Sequence, residues 1–119
     1  MRLTVQRSAW FFEDFEQQGR WYARHATEAV AARYLTSLHR TVDLLSQQPG
    51  LGRQRHFRHP ELRRLRSFRI ERPFSKHLIF YRYDDKTLIV ERVMYGGRNL
   101  PRRLTEPPAE SGEQHEAPV

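Results

Sequence analysis

Lys76-His-Leu-Ile-Phe-Tyr-Arg-Tyr-Asp-Asp-Lys-Thr-Leu-Ile-Val-Glu-Arg-Val-Met-Tyr95 is the stretch whose reading decides the fold. β-Branched and aromatic side chains crowd both halves, 76–83 and 87–95, as suits a pleated and largely buried surface. Asp84-Asp85-Lys86 between them is a short polar turn, so the two runs make an antiparallel hairpin. Just upstream, Leu62 to Glu71 alternates loosely around Leu65 and closes on Phe68 and Ile70, which supplies one more strand.

Further towards the N-terminus the period changes from two to between three and four. Ala31, Leu35, Leu38, Val42 and Leu45 recur at helical spacing behind the cap residue Thr27, and Pro49-Gly-Leu-Gly52 stops the run. Before it, Ser8 caps a helix with an aromatic face of Phe11, Phe15 and Tyr22, flanked by Phe12 and Trp21. Glu13 and Asp14 fall in its first turns, where negative charge is favourable, and Gly19 marks a point of bending or breakage. His25-Ala-Thr27 is too short to do anything but fold the two helices into a hairpin. Leu3 and Val5 share one face of an initial strand. The order is β-α-α-β-β-β: an α+β domain, with an antiparallel β-sheet packed against an N-terminal α-helical hairpin.

The charge is distributed unevenly. Of 21 Lys and Arg, 19 are Arg, and all precede Thr105 together with ten of the 14 Asp and Glu, so residues 1–104 carry a net +11. Residues 105–119 hold four Glu, three Pro and no cation, the composition of a disordered acidic tail beyond the domain. The absence of cysteine excludes disulfides, cysteine–zinc sites, Fe–S clusters and thiol nucleophiles. No apolar run reaches the roughly 18 residues of a membrane span, so a soluble cytosolic protein with no membrane partner is expected.

Several segments, taken in order, resemble the RelE/ParE superfamily of toxins from bacterial type II toxin–antitoxin modules. They are Ser8-Ala9 with Asp14-Phe15, Pro49-Gly-Leu-Gly-Arg53, Leu62-Arg-Arg-Leu-Arg-Ser67, His77-Leu-Ile-Phe-Tyr-Arg82, and Glu91-Arg-Val-Met-Tyr-Gly-Gly-Arg-Asn-Leu100. The last is similar to the ParE-like phrase Arg-Val-Leu-His-Gly-x-Arg-Asp, with Tyr95 in the place of His and Asn99 in the place of Asp. The resemblance implies a toxin that binds and inhibits DNA gyrase, is neutralised by a cognate antitoxin, and meets operator DNA only through that antitoxin. A RelE-like endoribonuclease acting on ribosome-bound mRNA is the alternative it leaves. A non-toxic co-repressor that only binds its antitoxin is a third.

The candidate site residues follow from charge and chemistry. Eight arginines at 53, 55, 58, 63, 64, 66, 69 and 72 face only Glu61 and Glu71 as acids, a net +6 over twenty residues. A solvated face is the plain reading of such a run, but its self-repulsion is relieved best by an anionic partner. Arg63, Arg64, Arg66, Arg69 and Arg98 are therefore expected to bind target or antitoxin, with Phe11, Phe15 and Tyr22 as apolar anchors on the first helix. A metal-independent nuclease would instead need proton donors and acceptors beside cations. Arg66, Tyr95 and Arg98 are the set for that case, and Arg63, Arg69, Arg82, Tyr81, His77, His56 and His59 extend the inventory. His56-x-x-His59 has a metal-like spacing, yet the surrounding arginines repel a cation, so neither metal nor cofactor is expected.

Overall fold

The computed structural model describes residues 2–97 and 99–108. Its elements are β1 (Thr4–Arg7), α1 (Ala9–His25), α2 (Glu28–Gln47), β2 (Arg53–Gln54), β3 (Arg66–Arg69), β4 (His77–Tyr83), β5 (Thr87–Tyr95) and α3 (Leu100–Leu104). Single 3-10 turns at Pro49–Leu51 and Pro60–Leu62 punctuate the arginine-rich stretch. The five strands form one sheet in the order β1-β5-β4-β3-β2. The α+β class and the helical hairpin stand as expected, but the sheet is mixed. β1 runs parallel to β5, with Thr4 opposite Thr87 and Arg7 opposite Val90, while the other pairs are antiparallel. No hairpin turn joins β1 to a neighbour, so local chemistry does not fix its direction.

Both predicted caps form. Ser8 Oγ accepts from Phe11 N and Thr27 Oγ1 from Val30 N, each at 3.0 Å. α1 runs unbroken through Gly19, whose open side faces Leu35 of α2 at an ordinary contact distance. Asp14 is not a solvent-facing residue of the first turns but a buried one, at 1% exposure. Phe11, Asp14, Gln18 and Tyr22 are the residues of α1 that face inward, a tighter helical stripe than Phe11, Phe15 and Tyr22.

The sheet is covered on both sides. Phe11, Tyr22, Tyr34, Leu38 and Leu45 of the hairpin pack on Ile79, Tyr81, Leu88 and Val93. On the opposite face Leu62, Leu65 and Leu104 close over Leu78, Phe80 and Met94. The unbroken apolar run Leu78 to Tyr81 follows from this, since a strand buried on both faces has no polar alternation. A bulge opposite Phe80 and Tyr81 sets Phe80 against Arg92 and Tyr81 against Val90, leaving Glu91 as the extra residue.

β1 covers β5 only as far as Val90; beyond that point side chains continue the ladder. Ser8 N donates to Val90 O, Ser8 Oγ to Glu91 O, Val93 N to Asp14 Oδ2, and Gln18 Nε2 to Val93 O. Arg103 Nη2 of α3 then donates to Tyr95 O. Buried backbone groups along an open strand edge are satisfied in this way by a helix laid beside it.

Past Leu104, where the sequence places the start of the tail, Glu106 O still accepts from Arg92 Nη1 at 2.8 Å. Residues 109–119, the larger part of the expected disordered tail, lie outside the described residues. They contain no aromatic, Leu, Ile or Met. Truncation after Pro108 is therefore expected to shift the melting temperature by no more than about 2 °C. Truncation after Leu104 removes an acceptor of a buried guanidinium and is expected to cost roughly 1–2 kcal/mol. Thermal melts of the two truncations, read side by side, check both.

Candidate functional site

Arg92 sits at the centre of the described polar interior. Its Nε and Nη2 grip Asp14 Oδ2 and Oδ1 at 2.8 and 3.0 Å, and Nη1 reaches the carbonyls of Arg103, Leu104 and Glu106. The guanidinium lies 5.1 Å from the centre of the Trp10 ring, and the Arg92–Asp14 pair is almost fully buried. Burial pushes the Asp14 carboxyl above its ordinary value, while Arg92 and the Val93 N–H pull it back. The arrangement ties α1, β5 and the last helix together. Next to it a cavity of about 290 Å³ opens between Trp10, Leu62, Leu65 and Leu104, with the Arg82–Glu91 ion pair on its wall. Arg82 also braces the turn below, donating to the carbonyls of Arg63 and Glu61.

The arginine-rich segment forms the outer edge of the sheet, on β2, β3 and their flanking turns. Its members divide by what they touch. Arg66 Nη1 donates to Gly52 O at 2.7 Å and its guanidinium covers the Tyr83 ring, so it is partly structural. Arg55 Nε donates to Ser67 Oγ and Arg69 Nη1 to Ser75 O. Arg53, Arg58, Arg63, Arg64 and Arg72 are exposed and make no side-chain hydrogen bond or ion pair among the described residues. Glu71 does not neutralise them: it accepts from Ser37 and pairs with Arg40 of α2. Arg98 lies outside the described residues.

The apolar anchors expected on the first helix need correction. Phe11 and Tyr22 are 0% and 1% exposed and pack in the hairpin core, so neither offers surface to a partner. Phe15 is half-buried against His39, and Phe12, at 44% exposure, is the aromatic that faces outward. Sequence spacing alone does not separate these, because Phe11 and Phe12 are adjacent. The signal that separates them is the stripe through Asp14 and Gln18, two polar residues on a core face that therefore need buried partners.

The proton-handling candidates are mostly committed to the fold. Tyr81 Oη donates to Pro49 O at 2.6 Å and accepts from Gly52 N at 2.8 Å, which anchors the helix-stop sequence to the sheet. Burial raises its pKa, and that of Tyr22 to about 12, so both phenols stay protonated at neutral pH. His77 is buried, with Nε2 at 2.9 Å from Tyr22 Oη. Tyr95 is half-buried, its ring edge-on to His77. His59 Nδ1 accepts from Glu61 N and caps a turn, and His56 is exposed nearby. Tyr95, on β5, is thus at the opposite side of the sheet's centre from Arg66, on β3.

A small α+β domain with a helical hairpin over one sheet face and a cation-rich outer edge is what the fold and this surface define. The family model described as the ParE toxin of the type II toxin–antitoxin system parDE matches residues 5–100, and the chain belongs to that family. Among solved structures it is similar to a chain described as the chromosomal ParDE toxin–antitoxin system from P. aeruginosa, at 16% identity and a TM-score of 0.62. That match covers 77% of this chain and 94% of the other, and shows a shared fold. No curated protein matches. Among the described residues, no helix is long and apolar enough to cross a membrane.

Proposed function

We propose that this member of the ParE family arrests growth in the cytoplasm by binding DNA gyrase, and that a cognate antitoxin neutralises it and carries it to operator DNA. A role in plasmid stabilisation or its chromosomal counterpart follows from that activity. The observation that supports a binding mode of action over cleavage is the commitment of Tyr81 and His77 to internal hydrogen bonds in buried positions: although Arg66 stands opposite Tyr81, its phenol is held between Gly52 N and Pro49 O. Transition-state proton transfer needs groups within reach of substrate and with pKa values near neutrality. Exposed arginines and the outward Phe12 suit a protein interface, where such side chains dominate affinity. Arg63 and Arg64 are the proposed contact residues for target or antitoxin; Arg66 and Arg69, which also brace the fold, are secondary ones, and Arg98 is included for its charge.

Induced expression in a bacterial host tests the reading. Wild type and Tyr95→Phe are expected to arrest growth alike, with gyrase-linked DNA breaks and intact mRNA. Arg63→Ala combined with Arg64→Ala is expected to weaken target binding by roughly 10-fold or more while the protein remains folded. Loss of arrest in Tyr95→Phe, with wild type cutting ribosome-bound mRNA at defined positions, would establish the RelE-like nuclease instead. Harmless wild-type protein that still binds its antitoxin would make it a co-repressor module.

A further inference from the structure

We propose that the outer edge of the sheet binds the phosphate backbone of double-stranded DNA directly, through Arg53, Arg55 and Arg69. This goes beyond toxin action on a protein target and does not depend on which target that is. Strand register places the three side chains together. Arg53 stands opposite Ser67, and Ser67 opposite Phe80, so Arg53 lies on the face turned away from the helical hairpin. Arg69, two residues beyond Ser67 on β3, shares that face. Arg55 is turned onto it as well, with Nε on Ser67 Oγ at 2.8 Å and its guanidinium 5.9 Å from the Phe80 ring centre.

Three guanidinium groups on one small surface repel one another. Consistent with that crowding, the Arg55 pKa is pushed down by partial burial and then by Arg53 and Arg69. No carboxylate among the described residues pairs with any of the three. An external anion is therefore the missing partner, and its class follows from the surroundings. Protein interfaces have apolar cores, yet the exposed large apolar side chains lie off the face that carries Arg53, Arg55 and Arg69. Phe12 and Leu44 are on the hairpin, Leu51 is in the turn after it, and Tyr83 is near Gly50 on the hairpin side. Single strands are held by stacking on exposed aromatic rings, and the sheet face that carries these three arginines presents no exposed Phe, Tyr or Trp. Duplex DNA offers dense phosphate charge, about one per 1.7 Å, with no need for either. Guanidinium forks match phosphate oxygens in pairs. Arg58 and Arg72 are exposed in the turns on either side of β3.

The test is fluorescence anisotropy of the purified full-length chain, without antitoxin, on a labelled duplex of about 20 bp across a salt series. Each phosphate contact is worth about fivefold in affinity at about 0.15 M salt, by the counterion-release slope. Arg53→Gln with Arg55→Gln and Arg69→Gln is expected to weaken binding roughly 10²-fold and to flatten the log–log salt slope by about 2.7. Arg53→Gln alone, at an exposed position with no internal partner, is expected to cost about fivefold and guards against misfolding of the triple variant. Arg20→Gln with Arg24→Gln and Arg33→Gln, all three exposed on the hairpin, removes the same charge and is expected to change affinity less than twofold. Equal loss in that control would reduce the effect to net charge and overturn the proposal. So would the absence of saturable duplex binding, or tighter binding to single-stranded RNA than to the duplex.

Discussion

Replacing Asp14 by Ala is expected to cost about 4 kcal/mol of folding stability, because it leaves a buried guanidinium without its counter-charge. Arg92 is 3% exposed and cannot swing into water without opening the contact between α1 and β5. The same carboxylate is also the acceptor for Val93 N, so the substitution orphans a buried backbone donor as well. For a domain of this size the loss corresponds to a fall of roughly 20 °C in melting temperature. Asp14→Asn keeps an acceptor and loses the charge, and about half the cost is expected. Arg92→Leu does different damage: the carbonyls of Arg103, Leu104 and Glu106 lose their donor, so α3 and its Leu104 should loosen first. A double replacement by Leu, which often rescues an isolated buried ion pair, is not expected to recover here, since the orphaned backbone groups remain. Urea denaturation gives the magnitudes, and hydrogen exchange separates the β5 edge from α3. A loss below about 1 kcal/mol for Asp14→Ala would mean that water reaches the pair in solution.

What the sequence made legible and what it did not differ by the range of the interaction involved. The hairpin from Lys76 to Tyr95 is local: β-forming composition on both sides of a turn that Asp84 stabilises by accepting from Lys86 N and Thr87 N. The two helix caps are equally local, and both were readable from Ser8 and Thr27. The parallel seating of β1 depends on a partner more than eighty residues away, and nothing near Leu3 and Val5 specifies it. The sequence neighbourhood of Asp14 suits a helix dipole; only Arg92, 78 residues on, makes it a core residue. The second core has no periodic signal in the sequence, because Leu62, Leu65 and Leu104 are scattered among arginines. For the same reason the arginine run was visible as charge, while its division into bracing and outward-facing members was not. Arg66 is distinguished from Arg63 and Arg64 by Gly52 O and the Tyr83 ring, both brought to it by the fold.

Gly52→Ala tests the one place where a short sequence motif and a distant side chain meet most tightly. Gly52 has φ −70° and ψ 150°, a backbone conformation open to any residue, so the requirement is for space and not for a glycine-only torsion. A Cβ there would overlap Tyr81 Oη and lie 2.7 and 2.8 Å from ring carbons Cε1 and Cζ. Tyr81 is fully buried at the centre of the sheet and cannot withdraw. The turn must move instead, which breaks the bonds of Tyr81 Oη to Gly52 N and Pro49 O and that of Arg66 to Gly52 O. Overpacking of about 1–3 kcal/mol and the groups left unpaired together give an expected loss of roughly 3–4 kcal/mol. Gly50→Ala, two residues away, is the matched control: its Cβ would meet only Tyr83 Oη at 3.7 Å, and a change under about 1 kcal/mol is expected. Combining Gly52→Ala with Tyr81→Leu removes the overlapping atoms, so the double variant should be more stable than the sum of its parts predicts. If the two losses simply add, the glycine is required by something other than the Tyr81 ring.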